Sequence, residues 1–265
     1  MMTMTTMMNS MPLQLQHAVE HALISSGALL ISHTICVAIV MYMDLTNKWA
    51  KYSINPNRNV SIDDYTIGLK SFVFDITCLF FPFMTFCFYV RDQEIRESSD
   101  SATWSLTKLA CGYVLGKLWA FGVHYVLHFP SLYHLHRRHH CNPRAIVASA
   151  AWMDSKTEYA VMELPSFAMT VLLFPTHFHV HALHFVLHGW DGAAGHSGFK
   201  APGILGALFD GEYHYYHHAH LTMNYAELEF LDILCGTHHT QHKHHQKYIF
   251  TPPTDNNEKK IKSER

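Results

Sequence analysis

The chain writes His-x-x-His-His twice, at His136, His139 and His140 in "HLHRRHH" and at His214, His217 and His218 in "HYYHH". Upstream stands a His-x-x-x-His, His124 and His128 in "HYVLH", and His196 in "GHSGF" lies between the two repeats. Neutral imidazole ligates first-row metals, and helix positions i, i+3 and i+4 share one face, so such groups can close on a cation together. These nine imidazoles exceed the need of one ion and suit two. With 24 histidines in 265 residues, chance clustering is the competing explanation. One spacing used twice, beside a His-x-x-x-His at a predicted helix end, argues against it.

The remaining histidines read differently. "HFHVHALHFVLH" sets His177, His181, His184 and His188 along one helical stripe, which either lines the site or faces lipid headgroups. "THHTQHKHHQ" (His238, His239, His242, His244, His245) runs into a polar, lysine-rich tail and reads as solvated. Rival catalytic motifs fail. "GHSGF" has Phe199 where a serine-hydrolase elbow needs its last glycine. "GWDGAAG" is not a G-x-G-x-x-G and follows no strand, so no dinucleotide site is encoded and reducing equivalents must come from another protein.

Apolar helices must carry these groups. About half of the chain (49%) is hydrophobic and only 15% is charged, which points to a membrane protein. A net charge of −2 offers no basic field for nucleic acid. Six scattered cysteines without a C-x-x-C pair indicate neither a disulfide framework nor a thiolate zinc site. Residues 22–43 and 71–90 are two apolar spans, the second holding Asp75 as an interhelical contact and Pro82 as a kink. Residues 106–127 form a third, weakened by Lys108 and Lys117, in which Gly112 and Gly116 have the spacing that lets helices approach closely. Residues 158–188 are broken at Pro165 and Pro175 and suit a helical hairpin that crosses twice or dips and returns.

"MMTMTTMMNSMPLQLQ" has neither the basic start nor the cleavage site of a signal peptide and reads as a disordered leader before an uncleaved anchor. It holds no Lys or Arg, whereas the first loop carries Lys48, Lys51 and Arg58. That loop is therefore expected in the cytosol, and three crossings bring Arg137, Arg138 and Arg144 to the same side with the histidine groups. The expected divisions are a leader (1–20), a transmembrane anchor region (21–116), a catalytic domain with the membrane hairpin (117–239) and a polar tail (240–265). The expected fold is all-α: a multi-span helical membrane protein with a cytosolic, histidine-rich di-metal cap.

From about Lys117 to Thr237 the chain resembles the fatty acid hydroxylase and sterol desaturase superfamily, whose members are integral membrane non-haem di-iron oxidases with three histidine boxes. "HSGFKAP" looks like a segment of sterol-modifying members, and "NYAELEFLDILCGT" (Asn224 to Thr237) is similar to the closing segment. The resemblance implies His124 and His128 as box one, His136, His139 and His140 as box two, His196 as an intermediate ligand, and His214, His217 and His218 as box three. Tyr125, Leu231 and Ile233 depart from the usual pattern. Lys200 stands where fatty acid 2-hydroxylases carry a second intermediate histidine, a place His184 or His188 could fill. The resemblance further implies two irons (zinc in some preparations), O₂, a lipid substrate, and electrons from cytochrome b5 or a similar NAD(P)H-dependent donor, docking near Arg137 and Arg138. The expected location is the endoplasmic reticulum membrane. A sterol is the leading substrate and a fatty acyl chain or sphingoid base the alternative. A histidine-rich metal transporter or storage protein is the rival of another class.

Overall fold

The first apolar run lies inside a longer helix. The computed structural model describes residues 11–141 and 146–241. In it α1 spans Leu13–Leu45. Residues 13–20, read from sequence as leader, are therefore helical: "LQLQHAVE" holds good helix formers with no internal Gly or Pro, and Pro12 stands just before it. A capping box of Ser61 and Asp64 starts α2, Ile62–Val90. The irregularity expected at Pro82 takes the form of a π turn, Ile76–Phe80, in which Phe81 N–H reaches back to the Ile76 carbonyl, and the helix runs on.

At about 1.5 Å per residue both helices exceed the roughly 30 Å hydrocarbon core. Among the described residues these two combine membrane length with membrane apolarity. Their outer faces expose Ile31, Ile35, Phe74 and Phe86, while Phe72, Phe80 and Phe88 are buried. After the short α3 (Asp92–Arg96), α4 (Ala102–Leu127) is as long as a span but carries Lys108 and Lys117.

The hairpin forms, with one correction. Pro165 does not break its first arm: α6 (156–173) passes through a π turn, Tyr159–Glu163, directly before the proline, as α2 does before Pro82. The chain turns around Pro175 and returns as α7, Phe178–Gly195. At the tip, Lys108 Nζ donates to the Pro175 carbonyl at 2.9 Å and Thr176 Oγ1 to Ser105 Oγ at 2.9 Å, and His177 Nε2 lies 3.0 Å from the Asp100 carbonyl. The hairpin tip therefore lies beside the start of α4.

Gly112 and Gly116 let α4 and α6 meet: a Cβ on Gly112 would sit 2.6 Å from Thr170 Oγ1, and one on Gly116 2.7 Å from the Ser166 carbonyl. Phe167 and Phe185, one from each arm, pack their rings about Phe80 at 5.4 and 5.3 Å, edge to face. Asp75 is the interhelical contact expected of it, paired with Lys156 and within 3.4 Å of Ser71 Oγ.

Short elements gather at the end of the bundle opposite the hairpin tip: α5 (Tyr133–His136), a 3₁₀ turn (Ala148–Trp152), α8 (Gly203–Phe209), α9 (Glu212–His220) and α10 (Glu229–Cys235). The loop after α1 packs against them. Ile54 N–H donates to the Gly198 carbonyl at 3.2 Å, Lys200 N–H to that of Tyr52 at 2.9 Å, and Arg58 Nη1 to that of Ser197 at 2.6 Å. Lys48, Lys51, Arg58 and Asn59 thus lie at the same end as the histidine segments. Arg58, also paired with Asp44, is a structural tie here, not a free loop cation.

Candidate metal centre

All nine sequence-selected imidazoles converge, in two groups. His124, His128, His136, His140 and His217 form one; His139, His196, His214 and His218 form the other; within each group one nitrogen per ring lies within 4.8 Å of the rest. The boxes do not map one to one onto the groups. In each His-x-x-His-His the i,i+4 pair shares a helical face and enters one group, while the remaining histidine points to the other. Box two gives His136 and His140 to the first group and His139 to the second; box three gives His214 and His218 to the second and His217 to the first.

Hydrogen bonds on the far side of the rings fix their orientation. His124 Nδ1–H donates to the Tyr225 carbonyl at 2.6 Å, His217 Nδ1–H to that of Met223 at 2.8 Å and His196 Nδ1–H to that of Gly192 at 2.8 Å. His136 Nδ1–H donates to Glu158, and His139 Nδ1–H to Asp154 Oδ1 at 3.1 Å. Carbonyl and carboxylate acceptors assign the proton to Nδ1, which leaves the Nε2 lone pairs turned inward. Facing Nε2 pairs are then 2.8 Å (His136 and His140), 3.1 Å (His139 and His196) and 3.2 Å (His140 and His217) apart. For His139 and His196, both protonated at Nδ1, bare lone pairs at this spacing repel. Two nitrogens each about 2.1 Å from a shared cation, at right angles, stand about 3.0 Å apart. The donor set therefore fits two transition-metal ions, one per group. Burial first, and neighbouring imidazoles second, hold His139, His140 and His218 well below the usual histidine pKa, so all three are neutral and able to ligate near pH 7.

Three acids that sequence reasoning left without a role support this arrangement. Asp154, Glu158 and Asp232 are fully buried. Asp232 accepts from Tyr225 N–H at 3.0 Å, Ala226 N–H at 2.7 Å and Tyr213 O–H at 2.6 Å, and so holds the loop whose carbonyls orient His124 and His217. A signal existed: Asp154 and Glu158 bracket the short polar stretch between two apolar runs in "AWMDSKTEYAVM", and Asp232 lies in the closing segment already singled out.

The other histidines stay outside both groups. His184 and His188 do not fill the place of Lys200, which pairs with Glu212. His181 and His184 are buried in the bundle, against the reading that this stripe faces headgroups, and His188 alone of the stripe lines the adjoining cavity. His238 is buried against Glu229 and Thr240, not solvated as expected. Arg137 and Arg138 are exposed. Arg144, His242, His244 and His245 lie outside the described residues.

A cavity of about 300 Å³ opens on both groups, reaching His124 and His136 of the first and His139, His196 and His214 of the second, with Phe121, Trp152, Met162, Trp190 and Leu208 in its walls. An apolar ligand held there would lie against both metals. Residues 109–237 match the model of a family described as fatty acid hydroxylase. No curated protein and no solved structure matches the chain.

Proposed function

We propose that this chain, whose residues 109–237 belong to the fatty acid hydroxylase family, is an O₂-dependent di-iron oxidase that hydroxylates or desaturates a membrane lipid, with a sterol as the leading substrate. The observation that carries the reading is the pair of imidazole groups opening onto one largely apolar cavity, at the end of a bundle with two helices of membrane length. Histidine-only sites also accept zinc, so the donor set alone does not choose the metal; the family and the cavity favour iron.

When bound and reduced by an external donor, two irons would supply O₂ activation and removal of hydrogen from an unactivated C–H bond. The protein's part follows from its geometry. The nine imidazoles would hold the ions, and the carbonyls and carboxylates at Nδ1 keep the rings of His124, His136, His139, His196 and His217 in one tautomer. Trp152, Phe121, Met162 and Leu208 exclude water and offer an apolar wall to a lipid. The exposed Arg137 and Arg138 beside box two suit an acidic electron donor of the cytochrome b5 kind. A cytosolic donor of that kind would require this end of the bundle to face the cytosol, and lipid oxidation with that donor suits the endoplasmic reticulum. The wall of Phe121, Trp152, Met162 and Leu208 beside the imidazoles gives a lipid chain a surface that metal transport would not need.

Two measurements test the reading. Elemental analysis of the purified chain is expected to give two metals per chain, iron in the native host; one metal, or none, overturns it. Lipid profiling of a deletion strain is expected to show one accumulated precursor, which names the substrate and the reaction. An unchanged lipid profile with disturbed metal content would favour the transporter.

A further inference from the structure

The cavity is apolar beside the metal-facing imidazoles but ends in charge. Lys117 lies two helical turns before His124 on α4, about 10 Å down the axis. Its ammonium is 2% exposed and pairs with Asp191 Oδ2 at 2.7 Å and with Glu227, whereas those carboxylate side chains are 46% and 39% exposed. Both acids line the cavity, as do Glu163 from α6 and Asp210 after α8. Two carboxylates therefore pair with the ammonium, Glu163 lies close enough to feel its charge, and Asp210 lines the same cavity. Tyr113 O–H adds a donor to Asp191 at 2.9 Å and is itself half-buried against the ring of His188, 5.0 Å away. His188 is 6% exposed and lines the same cavity, and its Nε2 has no hydrogen-bond partner.

Packing alone gives no reason for this cluster. Burying the Lys117 ammonium costs desolvation that an ion pair offsets only in part, so stability does not explain its presence here. A few convergent polar groups at one end of a pocket with apolar walls fix the orientation of a ligand. The acids outnumber the one cation, which disfavours a carboxylate or phosphate. Spare carboxylate oxygens accept hydrogen bonds from a hydroxyl or an ammonium.

Resting on the lipid-oxidase reading above, we infer that this cluster seats the polar end of the substrate. That end is a hydrogen-bond donor, a hydroxyl or an ammonium, and the oxidised carbon lies about 10 Å from it, the axial distance from Lys117 to His124. Lys117, Asp191, Glu163 and Glu227 then set which lipids enter and which carbon is presented. An anionic free fatty acid is excluded at this end.

The test reads binding without turnover. The full purified chain, with its metals, is held without reductant or O₂, and a fluorescent long-chain alcohol is displaced by stearyl alcohol, stearylamine or stearate. The alcohol and the amine are expected to displace it at least about tenfold better than stearate, a difference of about 1.4 kcal/mol in binding. Whichever of the two is stronger identifies hydroxyl or ammonium as the natural donor. The double variant Glu163→Gln and Glu227→Gln, checked for native metal content, is expected to shrink that preference at least about tenfold. Stearate binding as tightly as both donors overturns the inference, and so does a double variant whose preference is unchanged. The wild-type comparison stands even if the variant does not fold, and Asp210→Asn, at the exposed rim, then serves as the milder neutralisation. Turnover is measured separately: preserved preference without oxidation faults the oxidase reading alone, and oxidation without preference faults the seat alone.

Discussion

Replacing Glu158 with glutamine separates orientation of a ligand from its presence. Glu158 uses both carboxylate oxygens: one accepts from His136 Nδ1–H, the other from Ser155 N–H at 3.2 Å, where it also closes the capping box that starts α6. Glutamine offers one oxygen and an NH₂, so it can satisfy one of these donors and presents a hydrogen to the other. Loss of a buried hydrogen bond to a charged group costs about 1.5–3 kcal/mol, a factor of roughly 10–100 in affinity. Outer partners of ligating histidines affect metal affinity on the same scale, about 10–100-fold. His136 serves only the first group, so the loss should fall there. The assay is metal retention against a graded chelator, read by elemental analysis, in Glu158→Gln and in Ser155→Ala, which removes the cap but not the contact to His136. Glu158→Gln is expected to release one of two metals at about 10–100-fold lower chelator. Ser155→Ala is expected to cost about 1 kcal/mol of stability and to keep both. Equal loss of both metals from Glu158→Gln, or loss from Ser155→Ala alone, would refute the division of the ligands.

Three further outcomes follow from the same geometry. His217→Ala and His218→Ala, neighbours in one box, are expected to deplete different metals, distinguishable by spectroscopy of samples loaded with one iron and one cobalt; identical signatures would show that box three serves one ion. Asp232→Asn is expected to weaken the first group through the released 223–227 loop, seen as faster amide exchange at Tyr225 and Ala226 with loss of one metal, since those N–H groups donate to its carboxylate. Acidification is expected to destabilise the protein. Burial keeps His139, His140, His217 and His218 neutral in the fold, whereas the unfolded chain takes up protons below about pH 6.5. The unfolded state then binds more protons, so stability and metal retention fall as pH drops through about 6.5 and are complete above it; a thermal midpoint that rises on going from neutral to acidic pH would contradict this.

The histidine groups were legible because the ligand chemistry is written in local spacing. Their division between two ions was half-legible: the i,i+4 pairing within each box is a property of helix phase, but which pair meets which needs the path of the chain between residues 140 and 196. Asp154 and Glu158 were missed because their partners, His139 and His136, are 15 and 22 residues away and belong to no repeat. Pro165 misled for a different reason. A proline removes one N–H, and the helix can answer by breaking or by widening one turn; the choice belongs to the packing of α6 on α4, where Ser166 and Thr170 meet Gly116 and Gly112. The solvated reading of His238 failed in the same way, since composition near a tail says nothing about Glu229 folding back upon it.

The exchange of ligands between boxes makes the two sites interdependent. Residues 124–140 alone supply four of the five imidazoles of the first group and only His139 of the second. Their rings are oriented only when Glu158 and Tyr225 are in place, so the first site is set by the folded chain. Because His214 and His218 share a short helix with His217, an ion that fixed His217 in the first group would also hold them toward His139, and filling one site would organise the other. A titration of metal-free protein should therefore show two unequal steps, the earlier one organising the later.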